Sequence, residues 1–304
     1  MEVTELKILS ELPKEEYFMC GHNECPACGA ALVVRLALKV LGRNTIVVLP
    51  PNAILASAVR LSSFMVPTAS APMASAAALA SGIVRGRRVL GNDRATVVVF
   101  GGDASTVDMG FQALSAAAAR GDDFLYICYD NESNVNTGDQ ASSTTPLGAV
   151  TPTTPHGKAH VPKDMAIIMA EHGIPYVATA SVAMLGDYVQ KVQKAALIEG
   201  PKYIHVHTVC PCAWKIPDER MLEVGRLAVE TRAFPLFEVL RGTLRLTYIP
   251  ATCLPVDAYL GAQGRFKEIS PLGRAKFQEW VNDKWERLYR RHTAGTTSGG
   301  VTSE

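Results

Sequence analysis

Apolar positions along this chain fall into two recurring patterns: short unbroken runs that suit strands buried on both faces, and longer stretches with helical spacing. The runs NTIVVLPP (residues 44–51), ATVVVF (95–100), FLYICYDN (124–131), IPYVATAS (174–181) and KYIHVHTVC (202–210) predict five strands. Between them, CGAALVVRLALKVLG (28–42) carries small and apolar residues at helical spacing and stops at Gly42. DMAIIMAEHG (164–173) reads as a helix, and MLGDYVQKVQKAALIEG (184–200) as an amphipathic helix ending at Gly200. Residues 68–86 (TASAPMASAAALASGIVRG) are dominated by Ala, Ser and Gly. Alanine is the best helix former, so this stretch predicts one closely packed helix, with low complexity as the alternative. Repeated β-α-β units of this kind predict an α/β fold with a mostly parallel sheet flanked by helices.

The segment DQASSTTPLGAVTPTTPHGKAHVP (139–162) has no periodicity and is rich in Thr, Ser, Pro and Gly. A loop this long inside a compact domain is usually functional. Its His156 and His160 are expected to be exposed. Beyond Trp214 the pattern changes. Residues 216–234 predict a helix, 236–250 strand-like structure, and 277–292 a charged helix, with disorder from residue 293 to the end. Residues 1–215 are therefore expected to form the main domain. Residues 216–304 should be an extension that wraps it or a partner, rather than a second globular unit.

The 304 residues are 48% hydrophobic and 19% charged with a net charge of +1, enough to bury one large core and too balanced for a nucleic-acid surface. No apolar run reaches the roughly 18 uncharged residues that a membrane span needs. The N-terminal MEVTELKILSELPKEE is polar and acidic, unlike a basic leader with an apolar core. A cytoplasmic protein is expected. Its seven cysteines are then more readily metal ligands, reactive thiols or small core residues than disulfides.

Two constellations carry chemistry. The strand at 95–100 delivers Gly101, Gly102 and Asp103 to a sheet edge, and the strand at 124–131 delivers Asn131, 28 residues after Asp103. Parallel strands joined by a helix place their carboxyl ends side by side. Small residues there admit a phosphate to backbone N–H groups, and Asp103 with Asn131 can hold Mg²⁺. The bland alternative for Asp103 is a helix cap. The second constellation is C-x₄-C-x₂-C, formed by Cys20, Cys25 and Cys28, with Cys210 and Cys212 in HTVCPCAW. The spacing of the first three suits an iron–sulfur site, with structural zinc or no metal as alternatives. Cys128 and Cys253 read as core or surface residues. Arg35 and Arg60 read as exposed helix arginines, or as contacts for an anionic substrate.

These residues resemble a known family, the thiamine diphosphate-binding β subunits of the 2-oxoacid:ferredoxin oxidoreductases. GHNECPACG resembles the family's GH-x-x-C-x-G-C-G. GGDAS and YDNESNVNTGDQASSTTP resemble its GDG and D-[NT]-E-x-Y-x-N-T-G-x-Q-x-S-x-x-T-P blocks, and CPCAW its CP-x-GW. The resemblance covers residues 18 to 215. It implies that Asp103, Asn131 and the Ser133 backbone carbonyl ligate Mg²⁺ and that Gly102, Ala104 and Ser105 cradle the diphosphate. Thr137 and Gly138 would close the loop over it, and Asn136 would stand near the reacting centre. Cys25, Cys28 and Cys210 match ligands of a [4Fe–4S] cluster. The family's remaining cysteine follows the second strand, where this chain has VVLPPNAILAS. The fourth ligand is therefore assigned to Cys20, with Cys212 as the alternative.

The family implies oxidative decarboxylation of a 2-oxoacid, with electrons passing to ferredoxin or a ferredoxin-like subunit and coenzyme A as a candidate acyl acceptor. Pyruvate, an aryl-substituted 2-oxoacid and oxalate all suit the scaffold. The glutamate that activates the cofactor belongs to a different chain or domain in this family, and no candidate for it is found here. Partner α- and γ-type subunits are expected to supply it with part of the substrate pocket. Ala104 in place of the second glycine of GDG, and Asn134 and Val135 in the loop, depart from the family pattern. A non-redox decarboxylase or carboligase, or a zinc-bearing interaction subunit, are the competing readings.

Overall fold

A computed structural model describes residues 3–55, 63–91 and 95–297. Eight strands form one sheet: β1 (Thr45–Leu49), β2 (Thr68–Ser70), β3 (Thr96–Gly102), β4 (Leu125–Asp130), β5 (Tyr176–Ser181), β6 (Lys202–His207), β7 (Phe237–Leu240) and β8 (Thr243–Leu246). Their spatial order is β2-β1-β3-β4-β6-β5-β7-β8. The first six run parallel; β7 joins β5 antiparallel and turns back into β8. Every residue of β4, β5 and β6 is buried, as the unbroken apolar runs require of strands covered on both faces.

The sheet alternates its side chains between two cores. Val98, Phe100, Ile127 and Tyr129 pack with α2 (Gly29–Leu41) and α6 (Leu185–Ala196) on one face. Val97, Val99, Tyr126 and Cys128 pack with α3 (Ala76–Val89), α4 (Phe111–Ala119) and α5 (Met165–Glu171) on the other. α1 (Val3–Ser10) lies at the N-terminus, while α7 (Pro211–Trp214), α8 (Met221–Glu230), α9 (Val256–Gly261) and α10 (Pro271–Thr297) follow the last parallel strand.

The structure corrects the helix expected over 68–86. Thr68–Ser70 pairs in parallel with Val47–Leu49 as β2, and the helix begins only at Ala76. A helix from residue 68 would place Pro72 in its interior, where the missing N–H and the ring clash break the ladder. Residues 236–250 hold a hairpin whose turn, Arg241 and Gly242, has φ of +46° and +84°, the left-handed pair that a two-residue connection needs. The helix over 277–292 starts earlier and continues to Thr297, into the stretch expected to be disordered; residues 298–304 lie outside the described residues, as does Arg60. Among the described residues no helix is long and apolar enough to cross a membrane.

Candidate active site at the carboxyl ends of the central strands

β3 and β4 are neighbours with Gly102 opposite Tyr129, so both release their following residues at the same sheet edge. An open cleft lies there, lined by Gly102, Asp103, Ala104, Ser105, Asn131, Ser133 and Asn136 of the expected set. Thr137 and Gly138 do not line it. They end the 3₁₀ turn Val135–Thr137 beside it, where the Thr137 hydroxyl donates to Gln140 Oε1 at 2.6 Å. Asn52, Met73 and Tyr129, which no local sequence pattern singles out, also line the cleft. Asn52 is recognisable only in three dimensions: its Nδ2 donates to the Phe100 carbonyl at 3.0 Å, tying the residues after β1 to β3.

Beyond Gly102 the chain enters a π-helical turn, Ala104–Asp108, and then α4. Gly110 makes the tight turn possible, because a Cβ there would lie 2.1 Å from the Ser105 carbonyl oxygen. Gly102 differs, since a Cβ there would meet only the Tyr129 ring at an ordinary 3.5 Å. Neither its packing nor its φ demands glycine. Three small residues, Gly102, Ala104 and Ser105, line the cleft and let a phosphate group approach the backbone, and its donor set of one carboxylate, side-chain amides and backbone carbonyls suits a hard cation.

Asp103 occupies the N-cap position of the π-helical turn, but its side chain makes no capping bond. The carboxylate accepts instead from Ser142 Oγ and, at 3.2 Å, from Thr144 Oγ1. The long loop 139–162 supplies both donors. It is anchored by Lys158, whose Nζ donates to the carbonyls of Ser142, Ser143 and Thr145 at 2.9, 3.1 and 2.6 Å. His156 and His160 stay exposed. Thr144 Oγ1 also lies 2.8 Å from Asp130 Oδ1, so a single hydroxyl proton serves two carboxylates. Asp103 is 2% exposed, and burial, with the Asp130 charge added, pushes its pKa well above the ordinary carboxylate range. A bound divalent cation would supply the counter-charge this carboxylate lacks.

Asp130 has its own counter-ion. His205 Nε2 lies 2.8 Å from Asp130 Oδ2, and His205 Nδ1 lies 2.7 Å from the Tyr203 hydroxyl. Burial opposes charge on both partners. The hydrogen bond and charge of His205 nevertheless hold Asp130 below its usual range, and the Cys128 sulfur and Asp130 raise His205 to about 10. Because folding raises the His205 pKa, its contribution is complete below the unfolded value of 6.5 and is lost as pH climbs through about 10. The thermal midpoint should therefore fall across that window, and His205→Gln should flatten the fall. A wild-type midpoint that stays level between those pH values would contradict the charged pair.

Glu132 completes the turn after β4 with φ of +61°. Its N–H donates to Asp130 Oδ1 at 2.8 Å, and its carbonyl accepts from Thr145 Oγ1 at 2.6 Å. Its carboxylate pairs with Arg265 and faces His207 Nε2 at 3.5 Å. The Arg265 guanidinium sits 3.9 Å over the Trp214 ring, and Trp214 Nε1 donates to the Asn131 carbonyl at 2.9 Å. Residues from the C-terminal segment thus brace the turn that carries Asn131 and Ser133. Ser133 Oγ is turned toward Asp139 and the Gln140 carbonyl.

Cys28 and Cys210 lie near each other, with Cys25 and Cys212 near Cys210. Cys28 and Cys210 precede α2 and α7, and Gly29 packs so closely that a Cβ would lie 3.1 Å from the Val209 carbonyl oxygen. Burial pushes the Cys28 thiol up to about 12, with Cys210 contributing, and the Cys210 thiol up to about 11, with Cys212 and Cys25 contributing. Cys20 is exposed. Among the described residues no three His, Cys, Asp or Glu side chains converge in a metal-holding group. Cys128 is core and Cys253 exposed.

The model of thiamine pyrophosphate enzymes, C-terminal TPP binding domain, matches residues 52–206. The pyruvate synthase subunit PorB of Methanothermobacter marburgensis is 44% identical over 285 residues, covering 91% of this chain and 99% of that protein. The ketoisovalerate oxidoreductase subunit VorB of Pyrococcus horikoshii is 41% identical over 304 residues, covering 95% and 97%. The structure of 2-oxoglutarate:ferredoxin oxidoreductase from Magnetococcus marinus shares the fold with a TM-score of 0.58 at 21% identity, over 71% of this chain and 82% of that one. The cleft, with its glycine cradle and buried aspartate, lies within the matched segment, and the chain belongs to the thiamine pyrophosphate-dependent 2-oxoacid oxidoreductase subunits, the family of PorB and VorB.

Proposed function

We propose that this subunit holds thiamine diphosphate and one Mg²⁺ in the cleft after β3 and β4, and serves oxidative decarboxylation of a small 2-oxoacid within a hetero-oligomer. The observation that carries this is the meeting of Asp103 and Asn131 beside Gly102 in one cleft. Asp103, Asn131 and the Ser133 carbonyl hold the cation. Gly102, Ala104 and Ser105 cradle the diphosphate, Thr137 and Gly138 close the loop beside it, and Asn136 orients substrate. When bound, the cofactor supplies the electron sink for decarboxylation. The subunits named for pyruvate and ketoisovalerate among its relatives support a small aliphatic 2-oxoacid as substrate.

The half-buried thiols of Cys28 and Cys210, with Cys25, are proposed ligands of a [4Fe–4S] cluster that accepts the electrons; Cys20 or Cys212 supplies the fourth position and ferredoxin or a similar acceptor takes them onward. Thiolate ligation displaces protons from the two raised thiols, so cluster assembly is favoured at higher pH. Among the described residues lining the cleft none is a glutamate. The group that activates the cofactor is proposed to come from a partner subunit that meets the segment after β6.

Anaerobic purification with the natural partners, followed by iron, sulfide, zinc and thiamine diphosphate analysis, tests the reading. About four iron atoms and one thiamine diphosphate for this subunit are expected, with turnover in the complex and none in the isolated chain. Thiamine diphosphate without iron would replace the redox reading with a decarboxylase or carboligase, and zinc without thiamine diphosphate would overturn both.

A further inference from the structure

Tyr129 stands directly across the sheet from Gly102, and cross-strand partners present their side chains on the same face. Its ring covers the empty face of that glycine. A Cβ on Gly102 would lie 3.5 Å from ring Cε2 and 3.8 Å from the hydroxyl oxygen. The residue is 1% exposed and lines the cleft; the Ile54 backbone N–H lies near its oxygen, while its hydroxyl proton has no acceptor among the described residues.

The other large buried tyrosines are satisfied. Tyr126 pairs with Thr106 at 3.1 Å, Tyr176 with Glu238 at 3.2 Å, Tyr188 with the Val33 carbonyl at 2.9 Å, Tyr203 with His205 at 2.7 Å, and Tyr259 with His207 at 3.4 Å. Buried hydroxyls are nearly always paired because an unmade bond away from water is costly. If packing alone selected Tyr129, phenylalanine would fill the same space without that cost.

We propose that Tyr129 is a diphosphate-binding residue, donating its hydroxyl proton to a phosphate oxygen of a diphosphate group held in the cleft beside Gly102. The assignment rests on the thiamine diphosphate reading of the cleft and adds to it a ligand contact from the strand itself.

The test is Tyr129→Phe in the assembled complex, stripped of cofactor. Binding of thiamine diphosphate and of inorganic diphosphate is measured separately by calorimetry in Mg²⁺ buffer, and the melting temperature is measured without ligand. The variant should bind both about 10-fold more weakly, the scale of a lost hydrogen bond to a charged group. It should melt at or above the wild-type temperature when unliganded, since the hydroxyl proton has no protein acceptor to lose. Equal binding by wild type and variant would overturn the assignment alone, as would weakening confined to thiamine diphosphate or a lower unliganded melting temperature. A wild-type complex that binds neither compound would overturn the reading of the cleft and this assignment together.

Discussion

Asp103→Asn should cost the assembled enzyme its thiamine diphosphate, while the unliganded protein becomes more stable. Asp103 is the only carboxylate lining the cleft among the described residues, and it is buried against Asp130 through a shared threonine hydroxyl. With no cation present, Asp103 faces the Asp130 charge in a dry site with only the Ser142 and Thr144 hydroxyls to donate to it. Asparagine keeps an oxygen to accept from Ser142 and Thr144 and removes that repulsion, so the unliganded protein should gain about 1–3 kcal/mol. The loss on the ligand side is larger. Removing one member of a desolvated charge pair costs about 2–5 kcal/mol, which corresponds to a roughly 100-fold weaker Mg²⁺-dependent affinity or worse. Cofactor content after gel filtration and the melting temperature without cofactor measure the two effects. Wild-type cofactor retention in the variant would remove Asp103 from the proposed cation site.

The second large effect is expected at a distance from the cleft wall. Arg265→Met should destabilise the protein by about 3–5 kcal/mol, because Glu132 would be left charged and buried without its partner. Arg265 is 2% exposed, so solvent does not screen the pair. Methionine keeps much of the contact with Trp214 and isolates the loss of charge. Adding Glu132→Gln should recover a large part of the loss, since the uncompensated carboxylate disappears. Urea unfolding of wild type, both single variants and the double variant closes the cycle. Additive single effects would show that the two side chains are independent and would end the claim that they brace the Asn131 turn together.

Much of the fold was legible because parallel strands covered on both faces are written as unbroken apolar runs, as at 95–100, 124–131 and 202–210. β2 was not. Its three residues are Thr, Ala and Ser, exposed or half-buried, and they sit next to an alanine-rich helix that masked them. The two antiparallel strands at the sheet edge were visible only as strand-like sequence, since the alternation of Thr243–Leu246 says nothing about which strand it joins.

The site divides along the same physical line. Asp103 and Asn131 could be found because strand, helix and strand fix their separation in sequence and in space. Asp130 and His205 are separated by 75 residues and joined only through the pairing of β4 with β6, so no local pattern announced them. Arg265 is a single arginine in a short turn, indistinguishable in sequence from a solvated one. Tyr129 was hidden by its setting, because an aromatic residue in a buried strand reads as packing until its hydroxyl proton is seen without an acceptor.

The bracing of the Asn131 turn also sets an order of events during synthesis. Glu132 and Arg265 are 133 residues apart in the chain, yet one closes on the other directly beneath the proposed cation site. While the ribosome is still making the last parallel strand, the turn after β4 has neither its arginine nor the tryptophan that holds the Asn131 carbonyl. The cofactor pocket is therefore among the last parts of this subunit to acquire its final shape, and a nascent or C-terminally nicked chain would carry every residue of the cleft without being able to keep them in place.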